Sequence, residues 1–91
     1  MPGAPLKFNH QATAKFWIHQ RQLPQEIQIL AGKTYRLLKQ NPRHPSLQFK
    51  KIGKVWSVRV GLHHRALATQ ISGGFLWFWI GLPDEYDLKI K

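Results

Sequence analysis

Hydrophobic periodicity divides the chain into a helical first half and an extended second half. From Gln25 to Gln40, apolar residues recur every three or four positions, which is the spacing of one buried helical stripe. A shorter helix is predicted before it, capped by Asn9 or Thr13 and running to about Arg21. Pro24 separates the two helices, because proline interrupts one helix and suits the first turn of the next.

Beyond residue 41 the hydrophobic residues recur at every second position, which is the pattern of β-strands. Strands are predicted at residues 47–52, 55–60 and 65–71, followed by a strand at 75–80 that is apolar on both faces and belongs in the middle of a sheet. A brief alternation at residues 5–9 suggests a short first strand. Together these elements predict one α+β domain over residues 1–91, with two N-terminal helices packed on a twisted, mainly antiparallel sheet of three to four strands.

Length and composition exclude several classes of protein. The 91 residues suffice for one domain, and 43% hydrophobic residues are too many for a disordered chain. Cysteine is absent, so the sequence offers no disulfide framework, thiolate metal site or cysteine nucleophile. No apolar run approaches the roughly 18 residues of a membrane span, and the N-terminus lacks the apolar region of a secretory signal. We therefore expect a cytoplasmic protein that does not bind membranes.

Charge is distributed very unevenly. The chain carries 14 Lys and Arg against 4 Asp and Glu, a net charge of +10. Between Ile27 and Pro83 there is no acidic residue, whereas three of the four acids follow directly at residues 84–87. Such a one-sided basic field attracts polyanions, of which nucleic acids are the most common in a cell. An acidic protein partner would satisfy the same field.

Most catalytic and cofactor sites find no support in the sequence. The five histidines lack the spacing of zinc motifs, and His63 and His64 are adjacent, so on a strand they would point to opposite faces. Glycine-rich nucleotide-binding loops, a nucleophile elbow and paired carboxylates are also missing. We expect neither a metal nor a cofactor.

Basic residues surround the predicted hairpin and continue on the next strand. Lys50, Lys51 and Lys54 flank the turn, and Arg59 and Arg65 follow. Lys51, Arg59 and Arg65 are expected to converge on one face of the sheet, where they would bind successive phosphates. The other interpretation is that the lysines only solubilise an edge strand.

Three tryptophans on the predicted strands have two interpretations. Trp56, Trp77 and Trp79 could stack on nucleic-acid bases, but alternating aromatic residues in strands more often form the core.

The second half of the chain resembles a known family. The segments HPSLQFKKIGKVWSVRVGLHHRAL (residues 44–67) and FLWFWIGLPDEYD (75–87) are similar to the RelE/ParE superfamily of bacterial toxins. The resemblance covers roughly residues 35–88. It implies the same helices-on-sheet fold and the toxin role in a type II toxin–antitoxin pair. Many members cut mRNA in the ribosomal A site, and others inhibit DNA gyrase.

The resemblance also implies roles for individual residues. Arg59 matches a strand arginine that stabilises phosphate, and Arg65 matches a second arginine whose role is partly structural. Lys51 and Lys54 fall near lysines credited with phosphate binding or base action, and Tyr86 matches a tyrosine that stacks on or orients RNA. These five residues are the expected catalytic set. RNA binding is expected from Lys50 together with the same lysines and arginines.

One position departs from the family pattern. Many relatives carry His or Arg where this chain has Pro83, and proline can neither donate a proton nor bind phosphate through its side chain. His63 or His64 could replace the missing acid. The sequence thus leaves three possibilities: a ribosome-associated mRNA endoribonuclease, a gyrase inhibitor, or a catalytically decayed protein that only binds. The expected partners are an acidic, partly disordered antitoxin and mRNA on the ribosome, or alternatively DNA gyrase.

Overall fold

A computed structural model describes residues 9–85, which contain two α-helices, five β-strands and a few further helical residues at 83–85. In chain order the elements are β1 (Asn9–Ala12), α1 (Ala14–Arg21), α2 (Gln25–Gln40), a 3-10 turn (Pro45–Leu47), β2 (Lys50–Ile52), β3 (Val55–Val60), β4 (His64–Ile71) and β5 (Gly74–Gly81). No helix within these residues is long and apolar enough to cross a membrane.

The strands form one mixed sheet in the order β1-β5-β4-β3-β2. Strands β2 to β5 make an antiparallel meander, and β1 joins β5 in parallel. The predicted sheet of three to four strands is therefore corrected to five. The short first strand predicted at residues 5–9 begins, within the described part of the chain, at Asn9, and it continues to Ala12. A four-residue edge strand carries too little alternation for the sequence to define its ends.

The predicted helices are confirmed. Thr13, not Asn9, caps α1: its Oγ1 accepts a hydrogen bond from the backbone N–H of Phe16 at 3.0 Å. Helix α2 has the predicted bounds, and its apolar stripe packs on the sheet with Leu38 buried.

The strand predicted at residues 47–52 is shorter in the structure. Pro45 starts a 3-10 turn, and the Nδ1 of His44 accepts a hydrogen bond from the backbone N–H of Ser46 at 3.2 Å. Gln48 then adopts a left-handed conformation with φ of 44°, so that β2 begins only at Lys50. Pro45 at the start of the segment and the cap formed by His44 favour a 3-10 turn rather than a strand at residues 45–47.

The two faces of the sheet differ in character. The face that packs against α2, here called the helix face, carries the larger core cluster, including Val58, Val60 and Trp77. The opposite face, here called the arginine face, carries Ser57, Arg59, Arg65, Leu67 and Trp79. Leu67 and Trp79 form a second small buried cluster there.

A β-bulge places two of the tryptophans on opposite faces. Leu67 pairs with Trp79 and the next residue, Ala68, pairs with Trp77, so Phe78 is the extra residue of the bulge. Trp77 and Trp79 are only 6% and 4% exposed, which assigns both of them to the core. Trp56 is half-buried and packs against the rings of Phe49 and Phe75.

Candidate functional site

Two arginines lie side by side on the arginine face. Arg59 of β3 pairs directly with Arg65 of β4 across the antiparallel ladder, so their side chains leave the same face. Like charges in this position repel each other. Within residues 9–85 no carboxylate forms an ion pair with either guanidinium, and the pair therefore forms a concentrated positive charge suited to an anion.

Arg65 is held in place by two neighbouring side chains. Its Nη1 donates to the Oγ of Ser57 at 3.1 Å, and its Nη2 donates to the Oε1 of Gln48 at 2.7 Å. Ser57 is completely buried. Gln48 is the residue with the left-handed backbone, a conformation that costs a non-glycine residue on the order of 1 kcal/mol or more and is frequent at functional sites. These two hydrogen bonds fix the position of the Arg65 guanidinium on the arginine face.

Arg59 is fixed by a single contact with its own turn. Its Nε donates to the carbonyl oxygen of Gly61 at 2.8 Å. Among the described residues this is the only hydrogen bond of the Arg59 side chain, which leaves its two terminal nitrogens available to a ligand. Gly61 has a φ of +65°, which glycine adopts without strain, and this conformation turns the carbonyl toward the guanidinium.

Both arginines line a small polar cavity of about 220 Å³. A cavity of this size is below the range of drug-sized ligands and suits a phosphate with part of its sugar. Within the described part of the chain its walls contain no acidic side chain, and they come from β3, β4, the turn between them and two flanking segments: Gln48, Arg59, Leu62, His63, His64, Arg65 and Pro83.

The lysines of the first hairpin do not all join this site. Lys50 pairs with Ser57, which places it on the arginine face, whereas Lys51 pairs with Trp56 and therefore lies on the helix face. The expectation that Lys51 converges with Arg59 and Arg65 is wrong. The register follows from the two-residue turn, which pairs the residues on either side of it and makes the side chains alternate from there.

The remaining predicted site residues lie outside the cavity or outside the described residues. Lys54 is solvent-exposed in the β2–β3 turn and does not line the cavity. Tyr86 lies outside residues 9–85.

A second concave surface lies on the helix face, between α1, α2 and the sheet. This groove of about 290 Å³ is lined mainly by apolar and aromatic side chains, and Trp17 and Tyr35 on its rim are 46% and 43% exposed. Lys39 places its ammonium 4.8 Å from the centre of the Tyr35 ring. The groove is thus apolar inside and basic at one edge.

His10 lines the groove as an aromatic side chain. Its Nδ1 accepts a hydrogen bond from the indole N–H of Trp77 at 3.0 Å. Its ring stacks on Phe75 with 6.0 Å between the ring centroids, and it packs nearly perpendicular to the ring of Tyr35 with 5.8 Å between the centroids. Burial, together with the nearby charge of Lys39, lowers the pKa of His10 below its ordinary value of 6.5. The neutral imidazole is therefore the form that the groove favours.

Several solved structures share this architecture. A chain of the RelB–RelE antitoxin–toxin complex from Methanococcus jannaschii superposes with a TM-score of 0.66 at 14% identity, covering 89% of this chain and 99% of that one. The chain has the RelE fold. The isolated Escherichia coli RelE toxin superposes with a TM-score of 0.61 at 11% identity, covering 92% of this chain and 99% of that one. For the RelE–RelB complex of Pyrococcus horikoshii the TM-score is 0.62 at 12% identity, covering 85% of this chain and 96% of that one. No protein-family model and no curated protein sequence matches the chain.

On this RelE fold, sequence reasoning missed two contributors to the site. Gln48 and Ser57 hold Arg65, yet neither was singled out. Ser57 could have been found by strand alternation, because it shares a face with Arg59 on β3. Gln48 lies in an irregular segment whose left-handed backbone places it beside Arg65, and no periodicity in the sequence indicates this.

Proposed function

We propose that this protein is the toxin of a type II toxin–antitoxin module and that it inhibits translation by cutting mRNA on the ribosome. The observation that carries the proposal is the Arg59–Arg65 pair, aligned across two strands in a polar cavity to which none of residues 9–85 contributes a carboxylate. The RelE fold and the family resemblance of residues 44–67 and 75–87 support the same conclusion.

The geometry suits cleavage of RNA by its own 2′-hydroxyl group. In this reaction negative charge builds up on the phosphate oxygens, and preorganised cations that meet this charge lower the barrier. Arg59 offers two free terminal nitrogens for a phosphate, while Arg65, fixed by Ser57 and Gln48, adds charge without having to move. Lys50 extends the positive surface on the same face.

The proposed inhibitor is an acidic, partly disordered antitoxin segment that folds on contact. Several structures with the same fold are RelB–RelE complexes. In this chain the groove between α1, α2 and the sheet offers an apolar surface with exposed Trp17 and Tyr35 at its rim. An amphipathic segment would place apolar side chains in it and acidic ones near Lys39.

Induced expression in bacteria tests the proposal against its alternatives. We expect growth arrest in which amino-acid incorporation falls before DNA synthesis does. A rise in the DNA-damage response with intact mRNA would instead indicate gyrase inhibition. Harmless expression of a soluble, folded protein would indicate a module that only binds.

A further inference from the structure

The turn between β3 and β4 brings a histidine to the cavity. His63 is the last residue of this turn, directly before β4 and two positions ahead of Arg65. Its neighbour His64 also lines the cavity, but it pairs with Val60, whose side chain belongs to the core on the helix face. His63 is solvent-exposed, and it lines the same cavity as Arg59 and Arg65.

The same turn is fastened to the phosphate-binding arginine. The Gly61 carbonyl that accepts the hydrogen bond from Arg59 lies two residues before His63. Any anion that Arg59 holds is therefore positioned relative to the turn that carries the imidazole. Leu62 between them is 76% exposed and does not cover the cavity with an anchored side chain.

Apart from the two histidines, the side chains that line the cavity within residues 9–85 cannot supply a proton at neutral pH. The guanidinium group of arginine is a fixed cation that does not act as an acid at neutral pH. Pro83, which occupies the position of the usual family acid, has no proton to give. Gln48 is neutral and is already bonded to Arg65. Histidine is the side chain that exchanges protons most readily near pH 7.

We propose that His63 is the general acid of the cleavage reaction. This inference rests on the proposed function. The 2′-oxygen of the nucleotide attacks the phosphorus and forms a new O–P bond, and its proton passes to solvent water. The bond between phosphorus and the 5′-oxygen breaks, and this oxygen takes a proton from the His63 imidazolium. The products are a 2′,3′-cyclic phosphate and a 5′-hydroxyl, and the imidazole recovers its proton from water.

The role of an acid can be separated from a structural role by changing the leaving group. Ribosomes are programmed with an mRNA whose A-site codon contains either the natural 5′-oxygen or a single bridging 5′-sulfur. A thiolate leaves without a proton, so the sulfur linkage does not need the acid. The proteins compared are the wild type, His63→Gln, Arg59→Ala and the matched control His19→Gln, which replaces a histidine of α1 that does not line the cavity.

We expect His63→Gln to cut the oxygen linkage about 100-fold more slowly than the wild type but to cut the sulfur linkage within about threefold of it. Arg59→Ala should be slow on both linkages, and His19→Gln should be close to the wild type on both.

A His63→Gln rate equal to the wild type on the oxygen linkage would overturn the assignment, and so would an equal loss on both linkages. If the wild type cuts neither linkage, the proposed function itself fails, and the inference falls with it.

Discussion

Arg59 and Arg65 occupy directly opposite positions on β3 and β4, yet their side chains are secured in different ways. Arg65 donates to Ser57 and Gln48, whereas Arg59 donates only to the carbonyl of Gly61 among the described residues. One arginine is therefore built into the sheet, and the other is oriented but open to a ligand. This difference underlies the first prediction.

Replacing Arg65 by methionine, which keeps an apolar stem, should destabilise the protein. The buried hydroxyl of Ser57 would lose its partner, and an unsatisfied buried polar group costs about 1–3 kcal/mol. We expect the urea midpoint of Arg65→Met to fall, with an unchanged slope. Adding Ser57→Ala should recover part of the loss. An additive further loss in the double variant would contradict the account.

The two adjacent lysines of β2 should differ in their effect on activity. Lys50 lies on the arginine face and Lys51 on the helix face. We expect Lys50→Ala to slow mRNA cleavage several-fold at physiological salt, and Lys51→Ala to change it by less than twofold. Both variants lose one charge at an exposed site, so each controls for the other. A larger loss of mRNA cleavage in Lys51→Ala than in Lys50→Ala would show that the face on which a lysine lies does not determine its contribution to activity.

Filling the apolar groove should separate inhibition from activity. Thr34 lines the groove from α2, whereas Lys33 does not line it and is exposed. We expect Thr34→Trp to arrest translation but to escape neutralisation by the acidic partner, with at least about tenfold weaker binding in a titration, equivalent to 1.4 kcal/mol. Lys33→Trp is the matched control and should be neutralised normally. Normal neutralisation of both variants would place the partner elsewhere.

Stability should fall on mild acidification because of His10. Its pKa in the folded protein is lowered by burial and by Lys39, so the unfolded chain binds the proton more readily. Neutral His10 makes its full contribution to the free energy of unfolding above about pH 6.5, the pKa of histidine in the unfolded chain. This contribution is lost as the pH falls through the lower pKa that His10 has in the folded protein. Urea unfolding at pH 7.5 and 5.0 should show the loss in the wild type.

The variant His10→Asn tests the assignment of this pH dependence. Asparagine retains an oxygen that can accept from the Trp77 indole N–H but does not titrate. We expect the free energy of unfolding of His10→Asn to change less between pH 7.5 and 5.0 than that of the wild type. An undiminished change would assign the pH dependence to other groups.

Much of the fold is predictable because the elements are long enough to show their period. The sixteen residues of α2 and the six of β3 have the predicted bounds, since one buried stripe and one alternation define them. The shared face of Arg59 and Arg65 follows from the same alternation. The predicted turn at Gly53 and Lys54 also implies that Lys51 pairs with Trp56 and lies on the helix face, in conflict with the expectation that it joins Arg59 and Arg65.

Other features depend on packing between distant segments. The bulge at Phe78 puts Trp77 and Trp79 on opposite faces, although simple alternation would have placed them together. The left-handed Gln48 reaches Arg65 only after the 3-10 turn has formed. The parallel strand β1 is stabilised by β5, which is far away in the sequence. Local periodicity contains no information on such long-range contacts.

The most direct test of the account is primer extension on a defined mRNA in a translating extract, with wild-type protein, Arg59→Ala and the exposed control Arg43→Ala. We predict cuts within the A-site codon for the wild type and Arg43→Ala, and a loss of at least about 100-fold for a folded Arg59→Ala, since electrostatic stabilisation of this kind contributes about 10²–10³ in rate. Full-length mRNA with the wild type, or undiminished cutting by Arg59→Ala, would contradict the assignment of this site.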